Sequence, residues 1–545
     1  MTDPVSLYRQ ILQTRTDLYN KAISDGTYRP FIYPWDTLPA FFLIVGIALS
    51  PRCSPIFNAL SRWLLALAAF WYCIAHQSQV RTLGLTAGYG IGLSASWGLI
   101  MTVVLLILHN PGQDFKRLEL SRVANRNVDL DREMQELDCV KGNIQSDEAP
   151  IPSQAVVCTL DQKLFARRAA RPSLYVLVWQ GYPTDFWHVV DWTSDLMTSF
   201  RGMNWNFRNR IPTQVIPRPE GDPPRLSAAS TRQSASQLRA LRKRAVYDFV
   251  FWYVLTDIVK TIAVTDPFLI GIADLDSPTP WTWLRNVNAA VPGTTAFVRL
   301  CFSLCSVVTA VSFIFSLSPL FFPLVLPYLL RGKIVHLTRA PLLEAWMYPP
   351  YWGPMFRSLC DKGLGGMWGT WWHQMFRYGI SEPSRLLVKK LQIKPRGRLS
   401  RAIQIVVAFT MTGLIHAAAS STTFSVVPSQ PGGPFLFFFS QGVGILVQSA
   451  LSGLCNSAIK FPKVVRQTGN LGFVLLFLLY TAPLLVADFA KCGVWLFEPL
   501  PVTFVRGLGF GPGDCWFPWL ALPEGGRTLG WWSGDRWYRT GIAIY

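Results

Sequence analysis

The chain has few charged side chains and few histidines for its length. Of its 545 residues only 15% are charged and six are histidine, whereas an average soluble domain has about 25% charged residues. It has no N-x-S/T glycosylation acceptor, no G-x-S-x-G elbow and no H-E-x-x-H metal motif. These absences argue against an ordinary soluble enzyme, an α/β-type serine hydrolase and a zinc protease.

Apolar and aromatic residues are abundant instead. Hydrophobic residues make up 50% of the chain, mean hydropathy is +0.26, and there are 22 Trp and 35 Phe. Aromatic rings are enriched where membrane proteins meet water. We therefore predict an all-α polytopic membrane protein that contacts membrane lipids.

The strong positive charge fits the same class. A net charge of +19 could indicate nucleic acid, but no basic stretch is interleaved with aromatic residues on a soluble domain. Lys and Arg loops facing the anionic cytosolic leaflet explain the excess more simply. We expect no nucleic acid partner.

The ten cysteines do not form a metal-binding pattern. Cys301 and Cys305 share a helical face, but no histidine or second cysteine pair stands near them in the sequence. We expect no metal site.

Apolar stretches predict about eight or nine transmembrane helices with additional interfacial amphipathic helices, because a bilayer core requires about 20 apolar residues per helix. The stretch 296–330 is too long for one perpendicular helix, and its prolines predict a break into two segments. The candidate spans are 37–50, 56–76, 84–108, 247–265, 296–330, 402–427, 434–456 and 470–496.

The order of polar and apolar stretches predicts four regions. A polar N-terminus (1–36) precedes the first membrane helices (37–109), and a polar insert (110–246) separates these from the remaining core (247–545). The insert ends in a Pro/Ser/Arg-rich linker that we expect to be disordered. Ten basic and two acidic residues between Arg201 and Arg244 predict that the insert is cytosolic.

His416 lies inside the apolar stretch "IQIVVAFTMTGLIHAAASSTTF". An ionisable residue within a membrane span is costly to insert unless it faces a cavity or a partner. Thr412 and Gly413 lie one helical turn before it, and Ala419 and Ser420 one turn after. This small, polar face leaves room for a ligand beside the imidazole; the alternative is a structural histidine bonded to a neighbouring helix.

A second histidine occurs in "WWHQMFR", residues 371–377. On a helix, Thr370, His373, Gln374 and Arg377 would share one face, with the tryptophans opposite. We predict an interfacial amphipathic helix that presents these polar groups together. The alternative is a plain anchoring helix with a snorkelling arginine.

Alcohol acylation is a reaction that a neutral imidazole can serve in a membrane cavity without a metal. A general base removes the hydroxyl proton while a nearby donor polarises a thioester carbonyl. Burial keeps an imidazole in its neutral, proton-accepting form.

Four short motifs stand out along the chain: "RGMNWN" (201–206), "YPPYWG" (348–353), "MWGTWWHQ" (367–374) and "GLIH" (413–416). Together they resemble the wax synthase-like branch of the membrane-bound O-acyltransferase superfamily, in its fungal secondary-metabolite acetyltransferase type. The departures from the branch's pattern are Tyr348 for Trp, Met367 for Phe and Asn204 for Gly.

The resemblance implies that His416 is the catalytic base and that His373 lies near the acyl donor. It implies an acyl-CoA co-substrate, most simply acetyl-CoA, with no bound cofactor, and a lipophilic alcohol, such as a terpenoid or meroterpenoid, as acceptor. We expect a multi-pass protein of the endoplasmic reticulum; the sequence indicates no oligomeric state. The residues expected to bind or polarise the substrates are Trp372, Gln374, Arg377, Thr412 and Ser420.

Two alternatives stay open. A long-chain wax synthase would use the same chemistry, because no residue reports acyl length. A membrane transporter would use intramembrane carboxylates along its pathway, for which Asp257 and Asp488 are the candidates.

Overall fold

Helices make up most of the computed structural model. It describes residues 4–49, 54–83, 85–122, 175–207, 228–331, 337–426, 430–458, 461–511 and 515–545. The main helices are α1 Pro4–Ser24, α2 Leu38–Leu49, α3 Pro55–Ala75, α4 Leu85–Thr102, α5 Phe186–Thr198, α6 Ala228–Ala263, α7 Thr282–Ala290, α8 Thr294–Leu320, α9 Met355–Gly366, α10 Arg377–Lys390, α11 Arg398–Ser421, α12 Gly432–Ala458 and α13 Lys463–Lys491. The strands are β1 Phe31–Tyr33, β2 Arg117–Arg122, β3 Tyr175–Gln180, β4 Leu529–Trp532 and β5 Gly541–Ile544.

Six helices of the described chain are long and apolar enough to cross a membrane, and one further apolar helix, Trp35–Leu49, is shorter. This confirms the predicted all-α polytopic class. The number of spans in the described chain is smaller than the predicted eight or nine, because 37–50 forms only the shorter helix and 247–265 lies at the end of α6, which is not among the six. The six spans are Ile56–Ala75, Gly88–Leu108, Thr294–Leu329, Arg398–Ser421, Gly432–Cys455 and Lys463–Lys491.

The predicted break in the stretch 296–330 is wrong. Helix α8 continues from Leu320 through a π-helical turn, Phe321–Val325, into a last turn that ends at Leu329. Pro323 lies within the π turn. A π turn changes the hydrogen-bonding register. The helix can therefore continue past a proline although proline has no backbone amide donor.

Part of the polar insert is folded. Strands β2 and β3 pair antiparallel from Arg117 opposite Gln180 to Arg122 opposite Tyr175. The side chain of Arg117 is fully buried and forms ion pairs with Glu119, Asp191 and Asp195, which ties the hairpin to α5.

The linker predicted to be disordered, residues 218–244, is helical in its second half. Helix α6 begins at Ala228, inside that segment, where Ala, Gln, Leu and Arg are good helix formers. The first half, 218–227, lies outside the described residues.

The two ends of the chain meet in a small sheet with the strand order β1-β5-β4. Strand β5 pairs antiparallel with both neighbours, so that Ile544 lies opposite Phe31 and Leu529. This pairing connects the segment before the first membrane helix to the C-terminal segment.

Helices α4 and α11 pack unusually close together. A Cβ atom on Gly92 would lie 2.4 Å from the carbonyl oxygen of Ala418, and one on Gly88 would lie 3.0 Å from Oγ1 of Thr423. Thr422 Oγ1 donates to the carbonyl of Gly88 at 2.8 Å. Small residues allow membrane helices to approach in this way.

The variant Gly92→Ala tests this contact. The added methyl group would overlap the α11 backbone, so we expect the free energy of unfolding in detergent to fall by roughly 1–3 kcal/mol. The melting temperature should fall with it. Gly90→Ala is the matched control on the same helix, because nothing lies within 4 Å of its added Cβ. Equal melting temperatures for the two variants would contradict the close contact.

Candidate functional site

His416 lies at the contact between α11 and two other helices. Its Nδ1 is 3.0 Å from the hydroxyl oxygen of Tyr89 on α4. Its ring stacks on Phe438 of α12, with centroids 4.3 Å apart and planes 18° apart. The hydrogen bond and the stacking together hold the imidazole in one orientation, and within the described chain Nε2 has no hydrogen-bond partner.

The two polar residues predicted to flank His416 are hydrogen-bonded elsewhere. Thr412 Oγ1 donates to the carbonyl of Ala408 at 2.8 Å. Ser420 is fully buried and its Oγ donates to Oδ1 of Asp488 on α13 at 3.0 Å. Ser420 therefore fastens α11 to α13, and its role in binding a substrate stays a prediction.

The amphipathic helix predicted over residues 370–377 is absent. A π turn covers Met367–Trp371, Trp372 has an extended backbone, and α10 begins only at Arg377. Gln374 explains the interruption, since its Nε2 donates to the carbonyls of Trp368 at 3.0 Å and Trp372 at 2.7 Å. Such a side-chain amide replaces the backbone donors that a continued helix would supply.

The three polar residues of this segment, His373, Gln374 and Arg377, therefore do not share one face. Gln374 closes the turn, and Arg377 is exposed at the start of α10 with its Nη1 3.5 Å from Oε1 of Gln374. His373 alone is enclosed by aromatic rings. The predicted polar face is therefore wrong, whereas roles for Gln374 and Arg377 in donor binding stay predictions.

Four aromatic rings surround His373. Their centroids lie between 5.2 and 5.8 Å from that of the imidazole. Its Nδ1 is buried without a hydrogen-bond partner in the described structure. The four rings belong to Phe315, Trp352, Trp372 and Phe376.

The environment of His373 keeps it neutral. Burial, followed by the charges of Arg201 and His416, lowers the pKa of His373 from 6.5 to about 3. The influence of His416 means that the two histidines lie within electrostatic range of each other. An uncharged imidazole can donate one N–H and accept at the other nitrogen.

Arg201 joins two of the motifs that carried the sequence resemblance. Its guanidinium donates to the carbonyls of Pro349 and Pro350 at 3.0 Å and lies 4.9 Å above the ring of Tyr351. Burial lowers its pKa to about 10, so it remains a cation. Tyr351 in turn stacks on Phe315 beside His373.

A row of aromatic rings links the two histidines. Trp372 contacts Trp368 at a centroid distance of 5.2 Å, and Trp368 contacts Phe438, the ring on which His416 stacks, at 5.8 Å. Trp368 Nε1 donates to Oε1 of Gln441 at 3.3 Å. Both histidines therefore border one aromatic region made by α8, α11, α12 and the 367–376 segment.

A basic cleft lies between the end of α10 and the first half of α11. It has a volume of about 360 Å³, within the range of small-molecule sites. Its three charged lining residues are all basic. The lining residues are Arg385, Val388, Lys389, Gln392, Ile393, Lys394, Pro395 and Gln404.

The other described histidines have structural partners. His109 lies between Asp114 at 3.3 Å and Glu382 at 3.2 Å. Burial opposes its charge, but the two carboxylates outweigh burial and raise its pKa. His188 Nε2 contacts both carboxylate oxygens of Glu119. Among the described residues no group of three or more His, Cys, Asp or Glu could hold a metal ion.

Sequence reasoning missed Tyr89 and Phe438, the two residues that orient His416. Both lie in apolar stretches distant in sequence from residue 416. The signal for Tyr89 was its place between Gly88 and Gly90, since a polar hydroxyl in a glycine-rich membrane helix stands where a neighbouring helix comes close.

These features define a polytopic helical membrane protein in which two histidines border a common aromatic region. Residues 348–440, which include both histidines, match the model of the membrane bound O-acyl transferase family. The resemblance to this superfamily that the motifs predicted is thereby confirmed.

Fungal acetyltransferases are among the proteins similar to this chain. Acetyltransferase spyB of Aspergillus fumigatus is 34% identical over 105 residues, 19% of this chain and 17% of that protein. Acetyltransferase nanB of Aspergillus nanangensis is 26% identical over 172 residues, 30% of this chain and 40% of that protein. Acetyltransferase TRI7 of Fusarium sporotrichioides is 29% identical over 110 residues, 20% and 25% respectively.

The similarity thus covers less than half the length of each of these relatives. No solved structure matches the chain.

The lowered pKa of His373 predicts a specific acid sensitivity. Below its ordinary value of 6.5 the unfolded chain takes up a proton there, and the folded chain does so only near pH 3. Protonation of this group in the unfolded state therefore lowers the free energy of unfolding by about 2 kcal/mol at pH 5.

Melting temperatures in detergent near pH 7.5 and near pH 5 measure this difference. We expect a smaller drop on acidification for His373→Gln than for the wild type. Equal drops would show that His373 is not held neutral.

Proposed function

We propose that this protein is a membrane-embedded O-acyltransferase of the endoplasmic reticulum. It transfers an acyl group, most simply acetyl, from acyl-CoA to a hydroxyl group of a hydrophobic small molecule. His416 is the general base, and His373 polarises the thioester carbonyl. We place the acceptor among terpenoids or meroterpenoids on the basis of the family resemblance.

The observation that carries this proposal is the setting of His416. It lies within a membrane span, inside the segment that matches the O-acyl transferase family, with Nδ1 hydrogen-bonded and Nε2 without a partner among the described residues. A histidine oriented through one nitrogen and unpaired at the other has the arrangement of a general base.

The chemistry follows from these two nitrogens. Nε2 of His416 takes the proton of the acceptor's hydroxyl group as its oxygen attacks the thioester carbonyl carbon. The negative charge that develops on the carbonyl oxygen receives a hydrogen bond from Nδ1–H of His373. The C–S bond then breaks, and the thiolate leaves with the proton from Nε2, so CoA-SH and an ester are the products.

The basic cleft is suited to the phosphates of CoA. Gln404 in the cleft precedes His416 by 12 residues on α11, a distance of about 18 Å along a helix. The pantetheine arm of CoA has about 13 bonds between sulfur and phosphorus, which extend to roughly 15 Å. Phosphates at the cleft would therefore place the thioester near the histidines.

The similar proteins support acetyl as the acyl group, because spyB, nanB and TRI7 are all named acetyltransferases. The aromatic rings between His373 and His416 supply an apolar surface for a lipophilic acceptor. Long-chain wax synthesis differs only in donor and acceptor, so assays with palmitoyl-CoA and a fatty alcohol distinguish the two.

The carboxylates expected of a transporter are already occupied. Asp257 accepts hydrogen bonds from the backbone amides of Phe504 and Val505. Asp488 accepts from Ser420 Oγ and from the backbone amide of Gln430. Groups so paired fasten helices together and favour the enzyme over the transporter.

Replacement of His416 by alanine tests the base. Microsomes are supplied with labelled acetyl-CoA or palmitoyl-CoA and with a terpenoid or a fatty alcohol. Loss of general-base catalysis should lower kcat by roughly 100- to 10,000-fold. His76→Ala is the control, because His76 lies at the end of α3, outside the proposed site. Full activity of His416→Ala would refute the mechanism, and transport of the alcohol without esterification would refute the enzyme.

The double variant Lys389→Gln/Lys394→Gln tests the donor site. Loss of two charge-assisted contacts to phosphate should raise KM for acetyl-CoA by roughly 10- to 100-fold, with kcat little changed. Lys390→Gln is the matched control, because Lys390 is exposed and does not line the cleft. An unchanged KM in the double variant would place the phosphates elsewhere.

A further inference from the structure

Tyr89 is the one residue of the described chain that forms a hydrogen bond with the side chain of His416. It comes from α4, more than 300 residues earlier in the sequence, and its hydroxyl oxygen lies 3.0 Å from Nδ1. Only 8% of Tyr89 is exposed, so water cannot readily replace this contact.

The position of the phenol is fixed by packing. Its ring meets Phe489 of α13 edge-on at a centroid distance of 5.3 Å. The close approach of α4 to α11 at Gly88 and Gly92 sets the distance between the two backbones. The hydroxyl therefore has little freedom to move away from the imidazole.

The contact decides which nitrogen of His416 can serve as the base. A neutral imidazole has one protonated and one free nitrogen, and the hydrogen bond to one nitrogen sets the role of the other. Nε2 can take the proton of the alcohol only if Nδ1 carries the proton of the neutral imidazole. That N–H group then donates a hydrogen bond to a nearby oxygen. The hydroxyl oxygen of Tyr89 is the hydrogen-bond acceptor within reach of Nδ1.

We propose that Tyr89 is the positioning residue that holds His416 in the Nδ1–H tautomer and stabilises the imidazolium formed when Nε2 takes the hydroxyl proton. This inference rests on the proposed function. Tyr89 neither gains nor loses a proton in this role. It acts on His416 as the orienting carboxylate acts on histidine in a catalytic triad.

Tyr89→Phe removes only the oxygen and leaves the ring against Phe489. We expect kcat to fall by about 10- to 100-fold, the range of effects seen for groups that orient a catalytic ligand, with KM for acyl-CoA and for the alcohol changed less than twofold. The double variant Tyr89→Phe/His416→Ala should be no less active than His416→Ala alone, because Tyr89 acts only through His416.

Tyr19→Phe is the matched control. Tyr19 is also a buried tyrosine, 1% exposed, and its hydroxyl donates one hydrogen bond of 3.0 Å to the carbonyl of Arg81. It should lose a similar amount of thermal stability and keep wild-type kcat. A drop in kcat equal to that of Tyr89→Phe would reduce Tyr89 to a merely structural role.

A variant with 3-fluorotyrosine at position 89, introduced by amber suppression, covers the case in which Tyr89→Phe does not fold. Fluorine weakens the phenol oxygen as an acceptor while the shape is kept, so kcat should fall. An unchanged or increased kcat would overturn the proposal, since fluorine strengthens a phenol that donates to Nδ1.

If the wild type itself transfers no acyl group, the proposed function fails. If His416→Ala is inactive and both position-89 variants are normal, only this inference fails.

Discussion

The close contact between α4 and α11 is the constraint on which the site depends. An imidazole within a membrane span requires a polar partner, and a neighbouring helix can supply one only where the two backbones come close. Glycines at positions 88 and 92 provide that approach, and the carbonyl of Gly88 also receives the hydroxyl of Thr422. Tyr89 then reaches His416 as a consequence of backbone packing.

Polar groups elsewhere around the site are used to fasten helices. Ser420 pairs with Asp488, and Trp368 donates to Gln441, which donates to Thr481. In a low-dielectric interior an unpaired polar atom is costly, so most such atoms find partners. The buried Nδ1 of His373 has none in the described chain, and a missing partner at this place is what a substrate carbonyl would supply.

The sequence was sufficient for six of the eight predicted membrane spans, because hydropathy is a local signal. It also singled out His416 as a candidate, because an ionisable residue inside an apolar run is a local signal. It failed at the "WWHQMFR" segment, where the pattern predicts a helix but the side chain of Gln374 closes a turn instead. It also failed at Pro323, which a π turn accommodates. Tyr89 and Phe438 could not be assigned, since their contacts with His416 depend on helix packing.

The two histidines are not interchangeable, and their surroundings explain why. His373 lies among four aromatic rings and within range of the cation of Arg201, which with burial lowers its pKa to about 3. The Nδ1 of His416, in contrast, has the hydroxyl oxygen of Tyr89 at 3.0 Å, whereas the Nδ1 of His373 has no partner in the described chain. In the proposed mechanism His373 therefore serves as a neutral hydrogen-bonding group and His416 as the base, because the hydrogen bond to Tyr89 can stabilise the charge that His416 would acquire.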